Sequence, residues 1–271
     1  MIFEGYLTAQ TPIHHGGDEK TGSESLLRRI SYVIDGKRVE IPYVSGNSIR
    51  GILRRLLMSD MLIQLGYQLS STKIYHMLFT GGILETVNVK DSGVINLELK
   101  KHIRENLVPI ALLGTSLGNQ IFEGKLKVGN AIPVCRELKD FLPDMVEPQL
   151  SIYELLDFSF ATRLDDLREE REEGEQATQM LYSFEVFVPG TMFYHTFTLE
   201  KASQVEYSAF VRMLNLWKSR PYIGGKSAVG MGLIKIHHDY NEDDEKEYLE
   251  YLKSNRDNII STIKELEGTW K

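Results

Sequence analysis

The chain has 271 residues, 42% hydrophobic and 25% charged, with 22 glycines, 8 prolines and a formal net charge of −7. Such a composition excludes a disordered or fibrous protein, and the length suits one well-filled core or one domain with large insertions. Apolar runs such as 110–113 fall far short of the ~20 residues that span a bilayer, and no basic stretch leads into an apolar block at the start. Neither a membrane partner nor a signal peptide is therefore expected. The single cysteine, Cys135, excludes an internal disulfide or a thiolate zinc cluster, reads as a small buried residue and fits a cytoplasmic location.

A negative total argues against a nucleic-acid binder, but the distribution matters more than the sum. Between Lys20 and Arg55 there are eight basic and three acidic residues. The segments 165–175 and 239–250 each carry seven acids, against two arginines and one lysine respectively. Two acidic segments thus mask a basic N-terminal quarter.

In chain order, 2–10 alternates and stops at Thr11-Pro12, which predicts a strand, and 14–23 reads as a Gly-rich polar loop. Residues 29–34 and 39–44 read as two strands joined by Asp35-Gly36, a hairpin signal. After Ser45-Gly46-Asn47 the period changes: Ile49, Leu53, Leu56, Leu57 and Leu62 share a helical face with Arg50, Arg54 and Arg55 beside it, and Ser45, Asn47 or Ser48 can cap it. Residues 68–120 are read as mainly helical, and 124–134 as strand. The acidic stretch 157–179 is expected to be an exposed arm, followed by a strand at 181–188 answered by another at 193–199. A helix at 205–218 buries Phe210, Leu214 and Trp217; a Gly-rich loop at 220–232 leads to a strand at 233–236. One charged helix over 241–267 closes the chain. This order predicts an α+β fold on a ferredoxin-like, split β-α-β core over 1–240, with insertions near 14–40, 66–120 and 157–180 and a C-terminal helical piece at 241–271.

Two constellations carry the functional reading. In 41–55, small residues precede a helix with three arginines in its first turns; open amides at the helix start, with Ser45, Gly46, Asn47, Ser48, Arg50 and Arg54, suit a phosphate. A capped helix with a solvated arginine face is the plainer alternative. The second is Gly224-Gly225-Lys226-Ser227. It is no nucleotide-binding P-loop, because Arg220 stands where that motif needs glycine and a strand follows. Its main chain can still cradle a polynucleotide backbone. The adjacent pairs His14-His15 and His237-His238 point apart and lack metal-ligand spacing, so no metal or cofactor is expected. His14 can touch RNA, act as a general base, or be structural.

Together, residues 11–17, 41–55, 187–191 and 224–232 resemble, in order, the RAMP superfamily (repeat-associated mysterious proteins), and within it the Cas-seven backbone subunits of type III and type IV CRISPR effectors. The resemblance implies a modified RNA-recognition-motif palm with inserted finger and thumb regions, and copies stacked along a CRISPR guide RNA beside other effector subunits. Target RNA or DNA would be read by pairing with the guide. It places palm contacts at Ser45, Asn47, Arg50 and Arg54 with Gly224, Gly225, Lys226 and Ser227 opposite, His15 among the contacts, and thumb contacts at Arg163, Gln179 and Met180. RNA-cleaving relatives carry an aspartate before the Ile-Pro strand; here that place falls near Arg28 and Arg29, implying a non-catalytic scaffold in which these two grip phosphate. Three alternatives stand beside it: target cleavage by a carboxylate of the 18–35 loop (Asp18, Glu24 or Asp35), a guide-processing ribonuclease using His14, and an acidic interaction module without RNA.

Overall fold

The structure is a computed structural model that describes residues 1–21, 24–84, 96–118, 120–163 and 180–269, with backbone alone at 18–21, 83, 84, 162, 163, 180 and 181. The chain opens with β1 (Ile2–Ala9) and two hairpins, β2 (Gly16–Thr21) with β3 (Glu24–Leu27) and β4 (Arg29–Ile34) with β5 (Lys37–Pro42). Next come α1 (Gly46–Leu65), α2 (Thr72–Phe79), β6 (Ile83–Leu84), α3 (Leu97–Asn106) and α4 (Val108–Leu113). Short strands follow: β7 (Thr115–Gly118), β8 (Gln120–Phe122), β9 (Leu126–Val128) and β10 (Ile132–Pro133). The rest is β11 (Leu156–Arg163), β12 (Met180–Phe187), β13 (Met192–Leu199), α5 (Gln204–Ser219), β14 (Ile234–His238), α6 (Lys246–Ser254) and α7 (Arg256–Thr269).

The mixed α+β class expected from the sequence is what the chain adopts. β1 lies between β14 and β13, and both β9 and β10 pair with the far side of β13, all antiparallel. With α1 following β1 and α5 following β13, the connectivity is β-α-β-β-α-β. Strict alternation in β13 buries Phe193, His195, Phe197 and Leu199, and Phe197 meets Phe210 of α5 edge-on at 5.5 Å between centroids. Phe210, Leu214 and Trp217 line the buried face of α5, each worth roughly 1.5–3 kcal/mol of burial. A capping box between Ser203 and Glu206 starts that helix. Asp60 of α1 receives Arg212 of α5 through two hydrogen bonds of 3.0 and 2.7 Å, and Arg212 also reaches Glu245.

Long-range pairing overrode several local expectations. Of the predicted loop 14–23, residues 16–21 form β2, which pairs with β3; β3 joins the parallel edge of β12, giving a second sheet in the order β11-β12-β3-β2. The arm expected from 157 is corrected over its first residues, because 156–163 pairs with 180–187 along its whole length; 164–179 lies outside the described residues. β12 and β13 do not answer each other. The turn at Gly190 (φ 89°) sends them into different sheets, and Phe187 pairs with Ile13 where the sheets meet. The region read as mainly helical also contains the β6-β7-β8 sheet. The charged C-terminal helix is two, broken at Asn255, and its apolar stripe (Tyr248, Leu252, Ile259, Ile263, Leu266) enters the common core. Glu267 fixes it there, accepting from Tyr67 Oη at 2.7 Å and from the Ser70 amide at 2.6 Å. Cys135 is buried as expected, and burial pushes its thiol up to about 12.

His195 and His238 face each other inside the main sheet, Nδ1 to Nε2 at 3.1 Å, with 0% and 5% of their surface exposed. Burial first, then mutual repulsion, lowers His195 to about 3; burial lowers His238 to about 4, with Asp239 opposing and Lys218 and His237 assisting. Both are therefore neutral in the folded protein and take up protons readily on unfolding. The stability this contributes is whole above the unfolded value near 6.5 and drains away as pH falls toward 4 and then 3. Urea unfolding is expected to lose on the order of 3 kcal/mol between neutral pH and pH ~5. His195→Gln should flatten that slope; an unchanged slope would refute the assignment.

Candidate nucleic-acid interface

The segment between β1 and β2 organises the site. His14 is buried (6% exposed). Its Nδ1 donates to the Glu185 carbonyl at 2.8 Å, which leaves Nε2 to accept from Ser25 Oγ at 3.3 Å. Both nitrogens are committed, so the general base considered for His14 becomes a structural clasp. On the other side, the His14 carbonyl accepts from the Gly225 amide at 2.8 Å. Gly224 (φ 73°) lies so close that a Cβ there would stand 2.5 Å from that oxygen. His15 Nε2 shares a 3.1 Å hydrogen bond with Ser45 Oγ. Burial, then Arg28 and His14, lowers His15 to about 4, so it stays neutral. Two adjacent residues thus tie the Gly-rich loop to the start of α1.

Ser45 is the N-cap: its Oγ accepts from Ser48 N at 3.2 Å. Gly46 is buried, its amide donates to Asn130 Oδ1 at 2.9 Å, and a Cβ there would meet the Val128 carbonyl at 2.3 Å. Asn47 is exposed and Ser48 half-buried. Across from them Lys226 (φ 61°) and Ser227 are exposed, and Lys226 Nζ sits 3.7 Å from the Phe184 ring centroid. The expected contacts Asn47, Ser48, Lys226 and Ser227 therefore belong to one strip running through His15 and His14.

The chemistry of that strip differs from the expectation. At the helix start the amides of Gly46 and Ser48 already have side-chain acceptors. In the loop, the amides of Gly225, Val229, Gly230, Met231 and Gly232 bond to main-chain carbonyls, the last to Pro12. Folding thus takes the Gly46, Ser48 and Gly225 amides out of a main-chain cradle, which leaves a larger share of anion binding to exposed side chains and the dipole of a 20-residue helix.

Three of the expected arginine contacts turn inward. Arg54 is 6% exposed and donates to the Leu113 carbonyl at 2.7 Å and to Leu78 at 3.4 Å; burial, then Arg50, lowers it to about 10. Arg50, half-buried, donates to the same Leu113 carbonyl, left open where α4 ends at Gly114. Arg54 is corrected from a surface contact to a packing residue, and Arg50 is partly so. Arg29 pairs with buried Glu185, whose other oxygen accepts from the Leu27 amide at 2.8 Å, so Arg29 holds the second sheet instead of gripping phosphate. Arg28 is half-buried and lines a cleft of about 290 Å³ with Gly17, Leu26, Leu27, Arg29, Glu40 and Tyr43. Of the thumb candidates, Gln179 lies outside the described residues, and only the backbones of Arg163 and Met180, paired across β11 and β12, are described. Among the described residues no group of three or more His, Cys, Asp or Glu could hold a metal, and no helix is long and apolar enough to cross a membrane.

Sequence reasoning missed Glu185, Phe184, Glu40 and Tyr43. Glu40 and Tyr43 flank the Ile-Pro pair and were legible as strand neighbours of the motif. Glu185 and Phe184 are separated from their partners by 156 residues or more, or meet them only through folding, and carried no local signal.

The class defined by this fold is an α+β protein whose helix start and Gly-rich loop are joined at one edge by a histidine clasp. The sequence model of the RAMP superfamily matches residues 6–235, and the chain belongs to that superfamily. No curated protein matches it. Among solved structures it is similar to a chain of a "Type IV-B CRISPR Complex", with 22% identity, a TM-score of 0.64 and coverage of 89% of this chain and 91% of that one.

Because Gly224 combines positive φ with contact to His14, Gly224→Ala is expected to cost about 1–3 kcal/mol and to free the loop. Thermal melting measures the loss, and hydrogen exchange should quicken at the Gly225 amide. Unchanged exchange there would mean the loop is held by something else.

Proposed function

We propose that this chain is a non-catalytic, RNA-binding backbone subunit of a multisubunit CRISPR effector, copies of which assemble along the guide RNA. The observation that carries this is the strip itself: Asn47, Ser48, Lys226 and Ser227, borne on elements far apart in sequence, are joined through His14 and His15. Such contacts hold a sugar–phosphate strand without reading bases, which subunits repeating along one guide require. Membership of the RAMP superfamily and the likeness to a chain of a type IV-B CRISPR complex support the setting. Pairing of guide with target, RNA or DNA, supplies specificity.

A scaffold reading is also supported by the carboxylates of the 18–35 region. Glu24 is exposed on β3, Asp35 sits at the tip of the β4–β5 turn, and Arg28 and Arg29 occupy the stretch before the Ile-Pro strand. The Asp18 side chain lies outside the described residues. The partners held by both ring nitrogens of enclosed His14 favour the scaffold over the ribonuclease reading.

The double variant Asn47→Ala/Lys226→Ala should bind single-stranded RNA about tenfold more weakly, and the slope of log affinity against log salt should drop by about one for the lost lysine contact. Fluorescence anisotropy over a salt series reads both, and wild-type affinity in the variant defeats the proposed surface. Protein expressed with a CRISPR array should protect RNA in a ladder of evenly stepped lengths. The assembled complex should leave complementary RNA intact; regular cleavage that disappears in Asp18→Ala or Glu24→Ala would replace the scaffold by a nuclease.

A further inference from the structure

The cleft between the two N-terminal hairpins lies beside the strip but has different chemistry. The Arg28 amide donates to the His15 carbonyl at 2.8 Å and the Tyr43 amide to the Arg28 carbonyl at 3.1 Å, so its floor continues into the His15–Ser45 contact. Its volume, about 290 Å³, is near the lower end of small-ligand pockets (roughly 300–1,000 Å³) and suits one nucleoside. Gly17 forms part of one wall, and half-buried Tyr43 adds an aromatic residue to the lining.

Glu40 is the residue that sets the cleft apart. Among the described lining residues it is the one carboxylate, it is exposed, and its Oε1 accepts from Arg38 Nη2 at 3.2 Å. Arg38 is oriented in turn by Ser31 Oγ at 2.9 Å, across the hairpin. Oε2 has no hydrogen-bond partner among the described residues. A carboxylate here repels phosphate, so whatever enters beside it must present donors. Of the two arginines that also line the cleft, Arg29 is already neutralised by Glu185 and Arg28 has an interaction of its own.

We infer that the cleft takes the Watson–Crick edge of a guanine from the bound strand, with Glu40 accepting its imino and amino protons. Guanine is the base that offers a carboxylate two adjacent donors, N1–H and N2–H. Adenine and cytosine offer one amino group next to an acceptor nitrogen, and uracil one imino group between two carbonyls. Tyr43 gives the base an aromatic neighbour. The chain thus adds a mild preference for guanine at one position of its footprint to contacts that ignore sequence. This rests on the RNA-binding reading proposed above.

The experiment compares anisotropy-measured affinities for oligouridine and for the same oligomer carrying one central guanine, adenine, cytosine or inosine. Because the strand can slide, one guanine finds the cleft without a known register. The guanine oligomer should bind about fivefold tighter than the adenine, cytosine and all-uridine ones, with inosine, which lacks the amino group, losing most of the gain. In Glu40→Gln that ratio should fall to about one; since each ratio is taken on one variant, a general change in RNA affinity cancels. Equal affinities on the wild-type chain, or a guanine preference that survives Glu40→Gln, overturns the inference while leaving the RNA-binding proposal intact. If no oligomer binds, both fall.

Discussion

One buried carboxylate ties together the segments that carry the candidate site. Glu185 takes the Arg29 guanidinium and the Leu27 amide on its side chain, while its carbonyl takes His14. Three segments, β12, the β3–β4 junction and the stretch after β1, therefore converge on one residue of the second sheet. An ionised carboxylate is stable in such a place only when its charge is matched and its lone pairs are filled, which the cation and the amide together achieve. This junction adds side-chain ties to the main-chain pairing of β3 with β12, of Ile13 with Phe187 and of His14 with Gly225. It sits beside both the strip, through His14, and the neighbouring cleft, through Arg29 and Leu27.

The same economy governs the other arginines. Arg50 and Arg54 close the carbonyl end of α4, and Arg212 bridges α1, α5 and the turn before α6 through Asp60 and Glu245. Guanidinium suits these roles because it is planar, weakly hydrated and keeps its charge when partly buried. The basic excess of the N-terminal quarter is thus spent partly inside the protein. What faces solvent near the helix start is a small set of polar side chains, one lysine seated on an aromatic ring, and a helix dipole.

The motif positions were legible because their signals are local. Ser45 before a run of period 3.6 is a cap whatever surrounds it, Asp35-Gly36 turns a hairpin by its own torsions (φ 48° and 73°), and the alternation of β1 and β13 marks a sheet with one buried face. The fate of the amides in those motifs was not legible. The sequence offers open N–H groups at 46–48 and 224–232; Asn130, Pro12 and His14 consume several of them, and nothing in the local pattern announces those partners.

Read alone, then, the amino-acid order determined the class of fold, most strand and helix positions, the superfamily, and where along the chain polar and glycine-rich contacts concentrate. All of these rest on periodicity, capping and turn preferences within a few residues. Tertiary structure decided which arginines point inward, that 16–21, within an expected loop, pairs with 24–27 as a strand, that β12 and β13 part into separate sheets, and that His14 is a clasp. Those outcomes depend on partners tens to hundreds of residues away, where hydrogen-bond satisfaction and burial select among alternatives that local pattern leaves equal.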